Sequence, residues 1–401
     1  MAVYKLFPTQ DATIYSLFPS MNTGLDEIIE ATETSFAYSD PNPQTSRFLI
    51  NFSETEIDDL LDNKIKVTSG SISSSKFFDN NYWEVNLQCF IATSTGLNID
   101  TTVECYAVAG EWGMGTGRYL DDPIQTNGTS WYWLNYSGST LWPTSTFGAC
   151  RTGSFTGSST INTVNPYAGG GVWWTGSLYP TRFNSDLYPL SASVTFGYWD
   201  SKDLNLNVTN IIRARSTGSI SADGFIIKQE VEFIDDKEVQ PELKYFSRDT
   251  HTIYPPALQF SWRDYSFNTG SSTQTIQNTL PATVTLAQNP GTFYPQSYNR
   301  FRVNIRPEFP IQLWQTSSVY TNNYYLPTAS YWAIKDLDTN EMVIDFDTLF
   351  TQISADATSS YFDVWMNGLE PERYYAILIK SEIAGTTQVF DDQYYFKVIN
   401  G

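Results

Sequence analysis

Apolar side chains in this chain recur at every second position in short runs, and that period constrains the fold more than any other feature. Tyr82-Trp-Glu-Val-Asn-Leu-Gln-Cys-Phe-Ile91 and Thr102-Val-Glu-Cys-Tyr-Ala-Val108 alternate in this way, as a strand with one buried face does. Further short strand candidates, read from their composition, lie at 11–15, 27–32, 46–52, 71–78, 204–208, 224–229, 243–246 and 257–262, set apart by Pro, Asn and Gly. Strands punctuated by turn residues are therefore expected throughout. The 26 Tyr and 25 Phe, mixed with Thr, Val and Ile, suit a pleated, half-buried surface.

Helical spacing is confined to two places. Ser53-Glu-Thr-Glu56 ahead of Ile57, Leu60 and Leu61 reads as a capping box opening a short helix, and a second short helix is expected around 210–215.

At 401 residues the chain is long enough for two or three cores. The polar stretch from Asn268 to Thr275 and the turn Asn289-Pro-Gly291 mark a shift in composition. The expectation is an all-β protein with a large jelly-roll-like β-sandwich over 1–268, with long loops and few short helices. A linker over 269–291 and an immunoglobulin- or fibronectin-like β-sandwich over 292–401 follow. The last part holds strand candidates at 300–306, 331–335, 362–365 and 374–379 with the spacing of such a sandwich. Within the first part, residues from about 110 to 200 are rich in Gly, Ser and Thr and read as long loops held down by large rings.

Charge narrows the partners. With 23 Lys and Arg against 43 Asp and Glu, the formal charge is −20, which repels a phosphate backbone, so no nucleic-acid partner is expected. No apolar run approaches the ~18 residues of a membrane span, and no signal peptide is expected. Synthesis in a cytoplasm and no membrane partner are the corresponding expectations.

Chemistry is sparse in the sequence. Most acid-base mechanisms near neutral pH would depend on the single histidine, His251, which is expected to be a turn residue. Cys89, Cys105 and Cys150 have neither zinc nor disulfide spacing and are expected as buried thiols. A glycosidase needs only two carboxylates about 5–10 Å apart in a cleft, and no pair among the acids stands out. Gly113-Met-Gly-Thr-Gly117 lacks the Lys-Ser/Thr of a phosphate loop and is expected to be a tight loop around Trp112. No cofactor and no metal site is expected. Calcium is the one ion with plausible ligands, in the pairs Asp336/Asp338, Asp345/Asp347 and Asp391/Asp392.

Eight of the twelve tryptophans fall between Trp83 and Trp199, so binding residues are sought there. Trp131, Trp133, Tyr136, Trp142, Trp173 and Trp174 are the candidates, because a large rigid ring can stack on a sugar or anchor a protein interface at low entropic cost. The competing role for each ring is to fill space beneath the loops.

Over residues 1 to about 265 the order of features resembles the DNRLRE family of β-sandwich modules. The resemblance rests on Asp11-Ala-Thr-Ile-Tyr15 with Asn22-Thr-Gly24, Ser46-Arg-Phe-Leu-Ile-Asn-Phe-Ser53, and Ala109-Gly-Glu-Trp-Gly-Met-Gly-Thr-Gly117 with Thr129-Ser-Trp131. Leu206 to Ile212 and Asp223 to Lys228 fit its closing strands. Phe246 to Pro256, Gly368 to Tyr375 and Tyr394 to Ile399 look like virion structural proteins of marine T4-like tailed phages. The resemblance implies a non-enzymatic component of the neck, tail or baseplate, located in the virion, present in multiple copies and bound to other virion structural proteins. The stretch at about 132–185 is long for such a module and is a candidate added contact surface. The alternative is a receptor- or glycan-binding adsorption module using the aromatic loops.

Overall fold

The computed structural model describes residues 2–34, 44–65, 82–96, 100–142, 150–152, 169–178, 188–216, 218–221, 223–230, 232, 241–270, 275–279, 281–287, 289–309, 324–392 and 394–400. The strand expected at 71–78 and much of the stretch at 132–185 lie outside these residues. What is described is all-β, with sheets arranged as sandwiches and two α-helices among the described elements. None of its helices is long and apolar enough to cross a membrane.

The chain divides into two compact units. The larger comprises Leu6–Asn80 and Glu84–Gln259. Its main sheet runs in the order Ser191–Phe196, Thr101–Ala107, Phe225–Gln229, Gln44–Asn51, Ile28–Thr34, Glu242–Phe246, Ile91–Thr95, with Gln10–Tyr15 also paired to Gln44–Asn51. A separate pairing joins Leu204–Asn207 to the strand containing Asn86 and Cys89. The alternation expected of Trp83–Cys89 and Thr101–Ala107 is present, with every second residue buried.

Other strands of the sheet depart from alternation, Gln10–Tyr15 among them. Gln44–Thr45-Ser-Arg-Phe-Leu-Ile50 and all of Phe225–Gln229 are buried, as happens when both faces of a sheet are covered. One covering is a second core, in which Ile14, Leu49, Val108 and Ile226 pack with Trp112, Trp131, Trp142 and Trp173. The tryptophan-rich loops are thus folded onto the sheet. Both helices lie close to where the sequence places them, at Glu54–Asn63 and Thr209–Ser216. The Ser53 hydroxyl caps the first by accepting from the Glu56 amide at 3.4 Å.

The smaller unit comprises Met1–Lys5, Asn81–Trp83 and Phe260–Gly401. A four-stranded sheet (Ala282–Leu286, Tyr298–Pro307, Ser360–Trp365, Ser354–Ala355) accompanies a six-stranded one built around Tyr374–Ile383 and Ser330–Asp336. Phe301, Val303, Phe362 and Val364 from the first share one core with Trp332, Ile334, Ile377 and Phe396 from the second. Trp332 stacks on Phe362 at 5.2 Å.

The segment 269–291, expected as a linker, contains the strand Ala282–Leu286, in continuous register with Tyr298–Pro307. Its short Thr-Val-Thr alternation is easily masked by the polar residues before it. Likewise Val3, at the far end of the sequence, is 5% exposed in this unit's core. A single strand borrowed from the other terminus leaves no compositional trace.

Candidate functional site

The loops at one end of the larger unit are organised by Asn22, which is fully buried. Its Nδ2 donates to the carbonyls of Met114 (2.7 Å) and Thr129 (2.9 Å), while its Oδ1 accepts from the amides of Gly117 (2.8 Å) and Gly24 (3.3 Å). The Gly-rich run packs against this hub so closely that a Cβ on Gly115, at φ +76°, would lie 2.3 Å from Asn22 Oδ1. Trp112, which precedes the run, is buried in the tryptophan core, with Nε1 donating to the Asp223 carbonyl at 2.8 Å. Asn22→Ala is expected to cost about 2 kcal/mol and to speed proteolysis within 110–142, read by limited trypsin and chymotrypsin digestion.

Backbone hydrogen bonds lace the neighbouring loops to this hub. Asn22 N–H donates to Gln125 O, Leu25 N–H to Gly117 O, Tyr132 N–H to Pro19 O and Trp142 N–H to Tyr132 O. Tyr119 packs edge-on to Phe18 and at 5.0 Å from Tyr15. The cluster nevertheless leaves Leu17, Tyr119, Leu120, Ile124, Tyr132 and Leu141 exposed. Leu120 is 54% exposed and sits at φ +57°, a left-handed conformation that disfavours a branched side chain.

Arg47 anchors the cluster from below. Its guanidinium lies 4.9 Å from the Trp131 ring and 5.2 Å from the Trp173 ring. It donates from Nε and Nη2 to Glu232 at 2.9 and 2.7 Å, and from Nη1 to the Gly170 carbonyl.

The six candidate rings separate accordingly. Trp131, Trp142 and Trp173 are buried core residues and have no open face for a ligand. Trp142 donates to the Ser130 carbonyl at 2.8 Å. Trp174 is half-buried, with Nε1 donating to Ser221 Oγ at 3.2 Å. Trp133 and Tyr136 are brought together edge to face at 4.9 Å, half-buried and 41% exposed respectively. Rings inserted into an otherwise polar loop sequence carry no mark that separates gap-filling from display.

Sequence reasoning passed over Tyr198 and Trp199, the latter 91% exposed. They sit at the tip of a turn between strands, Gly197 to Asp200, closed by Gly197 N–H donating to Asp200 Oδ2 at 2.8 Å. A Tyr-Trp pair next to a turn glycine between two strand runs was the available signal.

Titratable groups behind the loop cluster are perturbed. Burial pushes the Asp11 carboxyl up to about 7, opposed by the Arg248 amide that donates to it at 2.6 Å. Burial likewise raises Asp26 to about 6, and Glu30 shifts upward for the same reason. His251 is 89% exposed, 3.6 Å from Glu27. The thiols of Cys89 and Cys105 are buried and free, and burial pushes both pKa values up.

One carboxylate of each calcium-candidate pair has hydrogen-bond partners within the protein. Asp336 takes a bidentate bond from Arg373 at 2.6 and 2.8 Å, and Asp347 accepts from the Leu349 and Phe350 amides. Asp392 accepts from the Tyr394 hydroxyl at 3.3 Å. Among the described residues no group of three or more His, Cys, Asp or Glu is placed to hold a metal ion. A cavity of about 20 Å³ between the two helices, lined by Ile57, Ile211, Arg215, Ile220 and Phe225, has room for about one water and not for a sugar.

What this arrangement offers is contact surface held on a hydrogen-bonded frame. The chain matches no family model, no curated protein and no solved structure.

Proposed function

We propose that this protein is a non-enzymatic structural component of a tailed-phage particle, assembling by protein-protein contacts at the neck, tail or baseplate. The observation that carries the contact role is the set of large apolar side chains, Leu17, Tyr119, Leu120, Ile124, Tyr132 and Leu141, left exposed on loops that are themselves tied down. Preordered loops lose little entropy on docking, and large apolar groups at the surface gain most from being covered. The phage assignment is supported by the sequence resemblances to DNRLRE modules and virion proteins. Sheet scaffolds with decorated loops suit the DNRLRE-like part of that reading.

The test is sedimentation of the tagged chain with density-gradient-purified particles. Wild type is expected to stay particle-bound through high-salt washing, whereas Leu120→Asp with Ile124→Asp, changed at two exposed loop positions and checked for an unaltered urea midpoint, is expected to stay at the top of the gradient. Purified particles that lack the chain would end the proposal.

A second reading, a glycan-binding adsorption module, is favoured by the half-exposed Trp133–Tyr136 pair. Saccharide binding on an array that disappears in Trp133→Ala would move the assignment there.

A further inference from the structure

The main sheet of the larger unit ends in two edges that are treated differently. At one edge, Ile91–Thr95 carries a register shift against Glu242–Phe246 at Lys244/Tyr245, and the Ile91 amide is taken by Asp203 Oδ1 at 2.8 Å. Bulges and side-chain blocks of this kind keep an edge from pairing with another chain. At the other edge, Ser191–Phe196 runs in unbroken register against Thr101–Ala107. It contains no charge and no proline, two of the devices that blunt an edge, and among the described residues Leu204–Asn207 passes close to it without pairing.

The direction of its free backbone groups follows from the hydrogen bonds. The Thr102 carbonyl accepts from the Glu230 amide at 2.9 Å, on the side of Phe225–Gln229. A strand residue points both its backbone groups the same way, so Thr102 makes a non-hydrogen-bonded pair with Thr195 on its other side. The close Thr102 Oγ1 to Thr195 Oγ1 contact, 2.9 Å, fits such a pair. Ser191, Ser193 and Thr195 therefore turn their N–H and C=O groups outward, and among the described residues no strand pairs with them.

Immediately beyond this strand stands Trp199. Its turn is locked from beneath by Lys202, whose Nζ donates to the carbonyls of Gly197 (2.7 Å), Tyr198 (3.2 Å) and Asp200. An almost wholly exposed tryptophan on a fixed turn is a preformed interface anchor.

We propose that this edge is a homotypic assembly edge: Ser191–Phe196 pairs antiparallel with the same strand of a second copy, about a two-fold axis at Val194. That register places Ser193 opposite Thr195, with both outward-turned backbones exchanging hydrogen bonds, and Val194, half-buried in one copy, against its counterpart. Just past the strand's end, the turn that carries Trp199 in each copy lies beside the start of the strand in the other, near the exposed Pro189. The occupant is a second copy because the strand is self-complementary in this register and brings no like charges together. A chain of charge −20 repels its copies at longer range, so this association tightens as salt rises, the reverse of an interface held by ion pairs. The inference stands apart from the phage assignment, since it concerns the purified chain alone.

Sedimentation-velocity ultracentrifugation of the full chain tests it. An interface of one strand pair and two anchors is smaller than a standard one, and a dimer forming at roughly 10–100 µM is expected, tighter at 0.5 M than at 0.05 M salt. Ser193→Pro removes an outward N–H without breaking a bond to the neighbouring strand and is expected to abolish the dimer. Trp199→Ala, at a solvent-exposed site, is expected to weaken it at least tenfold. A chain that stays monomeric throughout, or a dimer indifferent to both substitutions, would overturn the proposal.

Discussion

Arg47→Ala is expected to destabilise the larger unit by about 3–5 kcal/mol, the largest effect of any single truncation considered. Arg47 is 2% exposed, and its partner Glu232 has a side chain only 8% exposed. Truncation strands that carboxylate with Lys228 as its nearest cation, 3.9 Å away and already paired to Glu104 at 2.9 Å. It also removes the cation lying near Trp131 and Trp173 and the donor to the Gly170 carbonyl. Replacing both members, Arg47→Met with Glu232→Met, is expected to recover most of the loss, because a buried pair exchanged for apolar volume is often neutral. The urea midpoint of the larger unit reads both variants. A loss below about 1 kcal/mol in the single variant would mean that water reaches Glu232 and that the pair is not desolvated.

That ion pair shows where the sequence stops being informative. The strands around it were legible: Ser46 to Phe52 and Gly224 to Gln229 announce themselves by β-branched and aromatic content bounded by turn residues. The helix start capped by the Ser53 hydroxyl was legible for the same reason, since its chemistry is contained within a few positions. Arg47 and Glu232 are 185 residues apart, and nothing local marks either as half of a pair. The six rings follow the same logic. Whether Trp131 is a core residue or a display residue depends on whether Arg47 and Gly170 close over it, which no window of sequence reveals. Trp199 differs, because its position beside a turn glycine between strands is visible in the sequence, whereas its exposure depends on what packs around that turn. Val3 in the smaller unit is the limiting case, a residue whose partners in that buried core begin only at Ile276.

Stability of the larger unit is expected to be highest on the acid side and to decline as pH rises from about 4 to about 7. Asp11 is 1% exposed, and burial raises its pKa from 3.8 to about 7, with the Arg248 amide and guanidinium opposing and Asp249 and Asp26 reinforcing the shift. In that interval the folded chain holds a proton that the unfolded chain has released, so each step up in pH favours unfolding. Above pH 7 both states are ionised and the full penalty applies, at most roughly 4 kcal/mol for a shift of this size. Asp26, raised to about 6 by burial, and Glu30, also raised by burial, act in the same direction. In the smaller unit Asp356 works with the opposite sign: hydrogen bonds from Arg302 hold its carboxyl down at about 2, so its contribution is present above pH 4 and lost as pH falls through 2. Urea unfolding at pH 4.5 and pH 8 is therefore expected to show a higher midpoint for the larger unit at the lower pH. Asp11→Asn, which keeps an acceptor for the Arg248 amide, should flatten that dependence and raise the midpoint at pH 8. A midpoint that rises with pH in the wild type would show that Asp11 is solvated and ionised in the folded protein, and that the loops beside Arg248 admit water.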